Sequence, residues 1–231
     1  MSIVRSTSCL AALLAVLSPA AQAAATFTTD FAAFNAANPG LAVETFEAAN
    51  VPSGQDRVFD GPLNAATNTA EFAAGSVLGG FSISTTAGDI YAARDFGGNP
   101  GATISSNLFG ENLNIGFAPG VTAIGIDLLQ WQGHNDGWRL EAFDAANVSL
   151  GSFGTNGGSF VGLVSDVAVA RLFLDKPDSG AVIDNLRFGA AQVPEPSPLA
   201  LLALAGLGLA WRRRAAYTAA ACRPTLPAAG C

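Results

Sequence analysis

The chain has 231 residues, half of them hydrophobic, with 11 basic and 18 acidic side chains, one histidine and three cysteines, for a net charge of −7. A chain this acidic repels nucleic acid and anionic lipid, which excludes phosphate-backbone binding. The cysteines are Cys9, Cys222 and Cys231 and the histidine is His134, so the long stretch between the ends has neither a disulfide framework nor zinc-ligand spacing.

The N-terminus reads as a secretory signal peptide over residues 1–23. Arg5 supplies the basic region, 9–17 the apolar run, and Ala21-Gln22-Ala23 the small-residue cleavage site, with cleavage expected after Ala23. Residues 24–190 follow as the exported domain, long enough to bury a core of its own. All 18 acidic residues lie between Asp30 and Glu195, against six basic ones, so the exported stretch carries an excess of 12 negative charges.

Within that domain, the segment 26–38 contains a short helix. Thr29 or Asp30 caps it, Phe31 and Phe34 share one face, and Pro39-Gly40 ends it. A strand is expected at 41–46, and 50–70 reads as loop. From there the pattern is β. Alternation with period 2 places strands at 81–85, 90–93, 102–105, 113–117, 123–131, 138–143, 148–153, 159–164, 168–174 and 181–188. Turns fall at 144–147 and 175–180, and the glycines are read as turn residues. Short strands between Gly- and Pro-rich turns predict a mainly β chain, a β-sandwich with one short N-terminal helix. Phe46, Phe72, Phe81, Phe117, Phe143, Phe153, Phe173 and Phe188 are the expected core aromatics. The closing strands contain Ile183-Asp184-Asn185-Leu186. That ending resembles the last strands of bacterial jelly-roll domains, which implies architecture and not activity.

Residues 193–214 read VPEPSPLALLALAGLGLAWRRR. Pro194, Glu195 and Pro196 form a stiff triplet, 199–211 is uncharged and apolar, and Arg212, Arg213 and Arg214 close it. Apolar segment then arginines is the logic of a membrane stop with its basic flank held inside. The apolar part is short. Residues 198–211 reach about 21 Å as a helix, less than the roughly 30 Å of a bilayer core, which suits temporary residence in the membrane. These three features in this order resemble the PEP-CTERM sorting signal of exopolysaccharide-producing bacteria. The resemblance covers 191–214 and implies an exosortase partner, recognition at Pro194-Glu195-Pro196, retention by the arginines, and final placement at the cell surface or in the extracellular matrix. Family members usually end soon after the arginines. Here residues 215–231 continue as a tail without a readable pattern.

No Ser/His/Asp constellation or phosphate-binding glycine loop stands out, and the domain is not expected to be an enzyme. A carboxylate pair for glycan hydrolysis is the remaining catalytic alternative. The unusual cluster is Trp131, His134, Asn135, Asp136 and Trp138, with Gln130 and Gln132 beside it. Exposed tryptophans stack on sugar rings and amides bind hydroxyls, so this is a candidate carbohydrate-binding loop. The other reading makes Trp131 and Trp138 core residues on either side of a hairpin turn. Exposure of the rings decides between them. The jelly-roll resemblance implies a further candidate, since carbohydrate-binding modules of that fold often carry a structural calcium between an early strand and the last one, and Glu44, Glu47 and Asp184 are the matching residue types. The alternative leaves them as solvated carboxylates, with Asp184 paired to Arg171 or Arg187. The expected function is a non-catalytic surface or matrix protein associated with exopolysaccharide.

Overall fold

The computed structural model describes residues 24–107, 111–130, 137–156, 158–175 and 181–191. The signal-peptide site at Ala21 and Ala23, the sorting stretch with Pro194, Glu195, Pro196 and Arg212 to Arg214, and the tail lie outside the described residues. So do Trp131, His134, Asn135 and Asp136. Among the described residues no helix is long and apolar enough to cross a membrane.

Thirteen strands and one helix are described. They are β1 (Ala25–Thr28), α1 (Phe31–Ala37), β2 (Ala42–Glu44), β3 (Gln55–Asp60), β4 (Phe81–Thr85), β5 (Asp89–Arg94), β6 (Ala102–Ser106), β7 (Leu113–Phe117), β8 (Ala123–Leu129), β9 (Gly137–Phe143), β10 (Ser149–Asn156), β11 (Ser159–Ser165), β12 (Arg171–Asp175) and β13 (Val182–Gly189). They form two antiparallel sheets. The larger runs β1-β11-β8-β13-β6-β5-β3, with β2 also on β13; the smaller runs β10-β9-β12-β7-β4. This is the β-sandwich that the alternation predicts.

Alternation explains the packing. In β4 the pattern FSIST buries Phe81, Ile83 and Thr85 and leaves the two serines part-exposed. In β12, Leu172 and Leu174 point inward. Rings from both sheets meet in the middle: Phe188 of β13 lies 5.5 Å from Phe81 and 6.0 Å from Phe117. Phe46, Phe72, Leu63, Ile83 and Ile104 are fully buried. Each such side chain contributes roughly 1.5–3 kcal/mol of transfer free energy.

Several expectations are corrected. Residues 25–28, where no strand was expected, pair with β11 as strand β1, and helix α1 follows from the Asp30 cap as expected. The Asp30 carboxylate accepts the Ala33 amide at 2.9 Å and fixes the helix start there. Strand β3 lies inside the segment read as loop. It is an edge strand with one buried residue, Phe59, so its sequence QDRVFD carries almost no apolar signal. Phe143 and Phe173 are not core. They alternate with buried Ala142 and Leu172 and lie half-buried on the outer face of the smaller sheet. The Arg171 guanidinium covers Phe143 at 3.9 Å.

Candidate functional site

The outer face of the larger sheet carries a groove of about 450 Å³ over β8, β11 and β13. Three residues share one row across the strands, because Phe160 of β11 pairs with Asp127 of β8, and Asp127 pairs with Asp184 of β13. The next row is Gly162, Gly125 and Arg187. The two glycines leave a dent in the sheet. Phe34 of α1, only 3% exposed, fills it. A Cβ on Gly125 would meet the Phe34 ring at 2.9 Å, and one on Gly162 would meet it at the ring's Cγ at 2.8 Å.

Seating Phe34 places Phe31, one turn earlier, against Phe160 with ring centroids 5.2 Å apart and an interplanar angle of 73°. Phe31 remains 44% exposed. The Arg187 guanidinium lies 4.8 Å from the Phe31 ring and 5.7 Å from the Phe160 ring. Its Nη1 donates to the Asp127 carboxylate at 3.4 Å and to the Asn185 carbonyl at 2.9 Å. An aromatic wall therefore stands beside the carboxylate row.

Between Asp184 and Arg187 the β13–β8 register slips at a bulge. Asn185 occupies it with φ 46°, a left-handed conformation that asparagine tolerates. The Asp184 carboxylate accepts the Asn185 amide at 2.6 Å and the Asn185 side-chain Nδ2 at 2.9 Å. No basic side chain pairs with Asp184 among the described residues. Burial, and then the charges of Asp127 and Glu47, push its carboxyl up to about 6 despite the opposing Asn185 amide and Arg187. Asn99, Gln130 and Ser159 complete the polar lining. The Asn99 side chain donates to the Gln130 carbonyl at 2.8 Å, tying the 95–101 loop to the end of β8.

The three residues expected to hold calcium form no common site, although Glu47 lies near enough to Asp184 for its charge to act on it. Glu44 is 5% exposed and both its oxygens are engaged, Oε1 by the Phe46 amide and Oε2 by the Leu78 amide, each at 2.7 Å. Glu47 pairs with Arg94 at 2.7 Å and accepts the Ala102 amide at 2.9 Å. Among the described residues no group of three or more His, Cys, Asp or Glu is placed to hold a metal. The carbohydrate-loop expectation loses Trp138, which is 2% exposed and part of the core between the sheets. It alternates with Leu140 and Ala142 on the inward face of β9, so its ring cannot meet a sugar. Sequence reading missed Asp127, Phe160 and Asn99. One signal was available: Asp127 is the only charge in the apolar run AIGIDLL.

Comparison with known proteins adds the destination of the chain. Residues 192–214 match the PEP-CTERM protein-sorting motif. This is a PEP-CTERM sorting signal. The PEP-CTERM signal makes the chain an exosortase-sorted protein, exported across the membrane to a surface or extracellular location. No curated protein matches the sequence. Among solved structures, the enzymatically active domain of bacteriophage CBA120 tailspike protein 4 aligns over 48% of this chain and 19% of its own, at 17% identity and TM-score 0.28. The chain thus spans about a fifth of that protein. A carbohydrate-binding module of Cellvibrio mixtus lichenase 5A, in complex with cellotriose, aligns over 66% of this chain and 98% of its own, at 11% identity and TM-score 0.29.

Proposed function

We propose that the exported domain is a non-catalytic surface or matrix protein that holds extracellular polysaccharide in the groove over β8, β11 and β13. The observation that carries this reading is the row Phe160, Asp127, Asp184 with Phe31 beside it. An aromatic wall offers the flat C–H face of a pyranose a partner, while carboxylates, the Asn99 and Gln130 amides and the Ser159 hydroxyl offer hydrogen bonds to sugar hydroxyls. The apolar stretch 199–211 serves as a transient membrane stop before exosortase processing.

The arrangement favours binding over hydrolysis. Glycosidic cleavage uses one carboxyl on each side of the scissile bond. Asp127 and Asp184 are cross-strand neighbours on a single sheet face, so both approach a ligand from below.

A glycan array probed with the exported protein, followed by calorimetric titration of the best hit, tests this. Binding is expected, with Phe31→Ala weakening it about tenfold, equivalent to about 1.4 kcal/mol. Absence of any glycan binding, or an affinity indifferent to Phe31→Ala, overturns the groove. Release of reducing ends from a bound glycan overturns the non-catalytic part.

A further inference from the structure

Resting on the reading of the groove as a glycan site, we propose that its ligand is a polysaccharide with free amino groups, a hexosamine whose ammonium is held by Asp127 and Asp184. The groove floor holds two carboxylates against one guanidinium, that of Arg187. Two carboxylates stand directly opposite each other across β8 and β13. Like charges at such a position destabilise a sheet unless something offsets them. Arg187 is committed to Asp127, the Asn185 carbonyl and two aromatic rings. Asp184 receives hydrogen bonds only from its neighbour Asn185 and has no cationic partner among the described residues. Each of its oxygens retains a lone pair for a further donor.

The lining points the same way. Among the described residues the groove's lining has no Lys, Arg or His, and the adjacent Arg187 is already committed to Asp127, so a uronate, sulfate or phosphate substituent meets no uncommitted cation there. The exported stretch carries an excess of 12 negative charges, which repels an acidic polymer before it arrives and attracts a basic one. An ammonium supplies both the charge and the three N–H donors that the carboxylate row lacks. The ring of the same sugar lies within reach of the Phe31 and Phe160 wall. The volume, about 450 Å³, is in the range of pockets that take small ligands.

The test is calorimetric titration of the exported protein at pH 6.5 with three oligomers of equal length: glucosamine, N-acetylglucosamine and galacturonic acid. Calcium chloride alone is a fourth titrant. The glucosamine oligomer is expected to bind at least tenfold tighter than its N-acetylated twin, and to weaken as NaCl rises from 50 to 300 mM. Asp184→Asn, and independently Asp127→Asn, are expected to reduce that preference to about twofold or less. Equal or tighter binding of the N-acetylated oligomer overturns the amino preference while leaving the glycan groove intact. Tighter binding of the galacturonate oligomer, a preference unchanged in both Asn variants, or binding of calcium alone also overturns it. If no oligosaccharide of any charge binds, the underlying glycan reading fails with it.

Discussion

Gly125 and Gly162 stand opposite each other on β8 and β11, and the Phe34 ring lies on both. Helix α1 is only Phe31–Ala37, too short to hold itself in water, so this contact fixes it to the sheet. Phe31 reaches the groove only because Phe34 is seated. Gly162→Ala forces the Phe34 ring out of the dent, at a cost of about 1–3 kcal/mol. The expected result is a lower urea midpoint together with weaker glycan binding, although residue 162 does not line the groove. Urea denaturation and titration of the same sample check both. A stability loss with unchanged affinity would separate α1 from the site.

Asp184 makes stability depend on pH in an unusual direction. Its carboxyl holds a proton more tightly in the folded chain than in the unfolded one, with the folded value pushed up to about 6 from 3.8. A proton bound preferentially by the folded state favours folding at low pH. That contribution is complete below the ordinary value and is lost as pH rises through about 6. Asp184→Asn removes the penalty of the charged form. Two pH units correspond to about 3 kcal/mol, and partial exposure reduces this to about 1–2 kcal/mol. The variant is therefore expected to be more stable than the parent at pH 7.5 and equal to it at pH 3.5. Urea unfolding at both pH values measures this, and an equal effect at the two would contradict it.

The sandwich was legible because period-2 alternation is strong where one strand face is buried, as in β4, β7 and β9. The sorting stretch was legible because its three parts are chemically unlike and ordered. The groove was not. Its floor depends on Gly125 and Gly162 sitting mid-strand, whereas glycine in sequence reads first as a turn. Its carboxylate row depends on the register of β8 against β13, and Asp127 and Asp184 are separated by most of the last third of the domain. Phe31 was visible on a helical face, but no pattern tells an inward aromatic from one left at a groove. Glu44 and Trp138 illustrate the opposite error. A carboxylate and a tryptophan look functional in sequence, and each is buried for a structural task.

Glu44 clamps two segments. Its buried carboxylate accepts the amide of Phe46, two residues on, and that of Leu78, 34 residues on, and Phe46 is fully buried at φ 56°. That backbone conformation costs on the order of 1–3 kcal/mol for a bulky residue and persists only while its surroundings hold it. Glu44→Ala leaves two amides without an acceptor, at about 1–3 kcal/mol each. Glu44→Gln keeps one acceptor oxygen and is expected to lose about half as much. Urea midpoints should rank parent, Gln, then Ala. Adding calcium is expected to leave the ranking unchanged, because the Glu44 carboxylate is buried at 5% exposure with both oxygens turned to backbone amides.

Trp138 provides an optical test of the core assignment. The chain has three tryptophans, so Trp131→Phe with Trp211→Phe leaves Trp138 as the sole emitter. A ring 2% exposed and packed among Leu140, Leu172 and other core residues should emit in the blue and resist quenching by iodide. Saturating glycan should leave that emission in place, since the groove lies on the outer face of the other sheet. Trp138→Ala is expected to cost about 3–5 kcal/mol through the cavity it opens. Red-shifted emission that moves to the blue on glycan binding would return Trp138 to the carbohydrate site and remove it from the core.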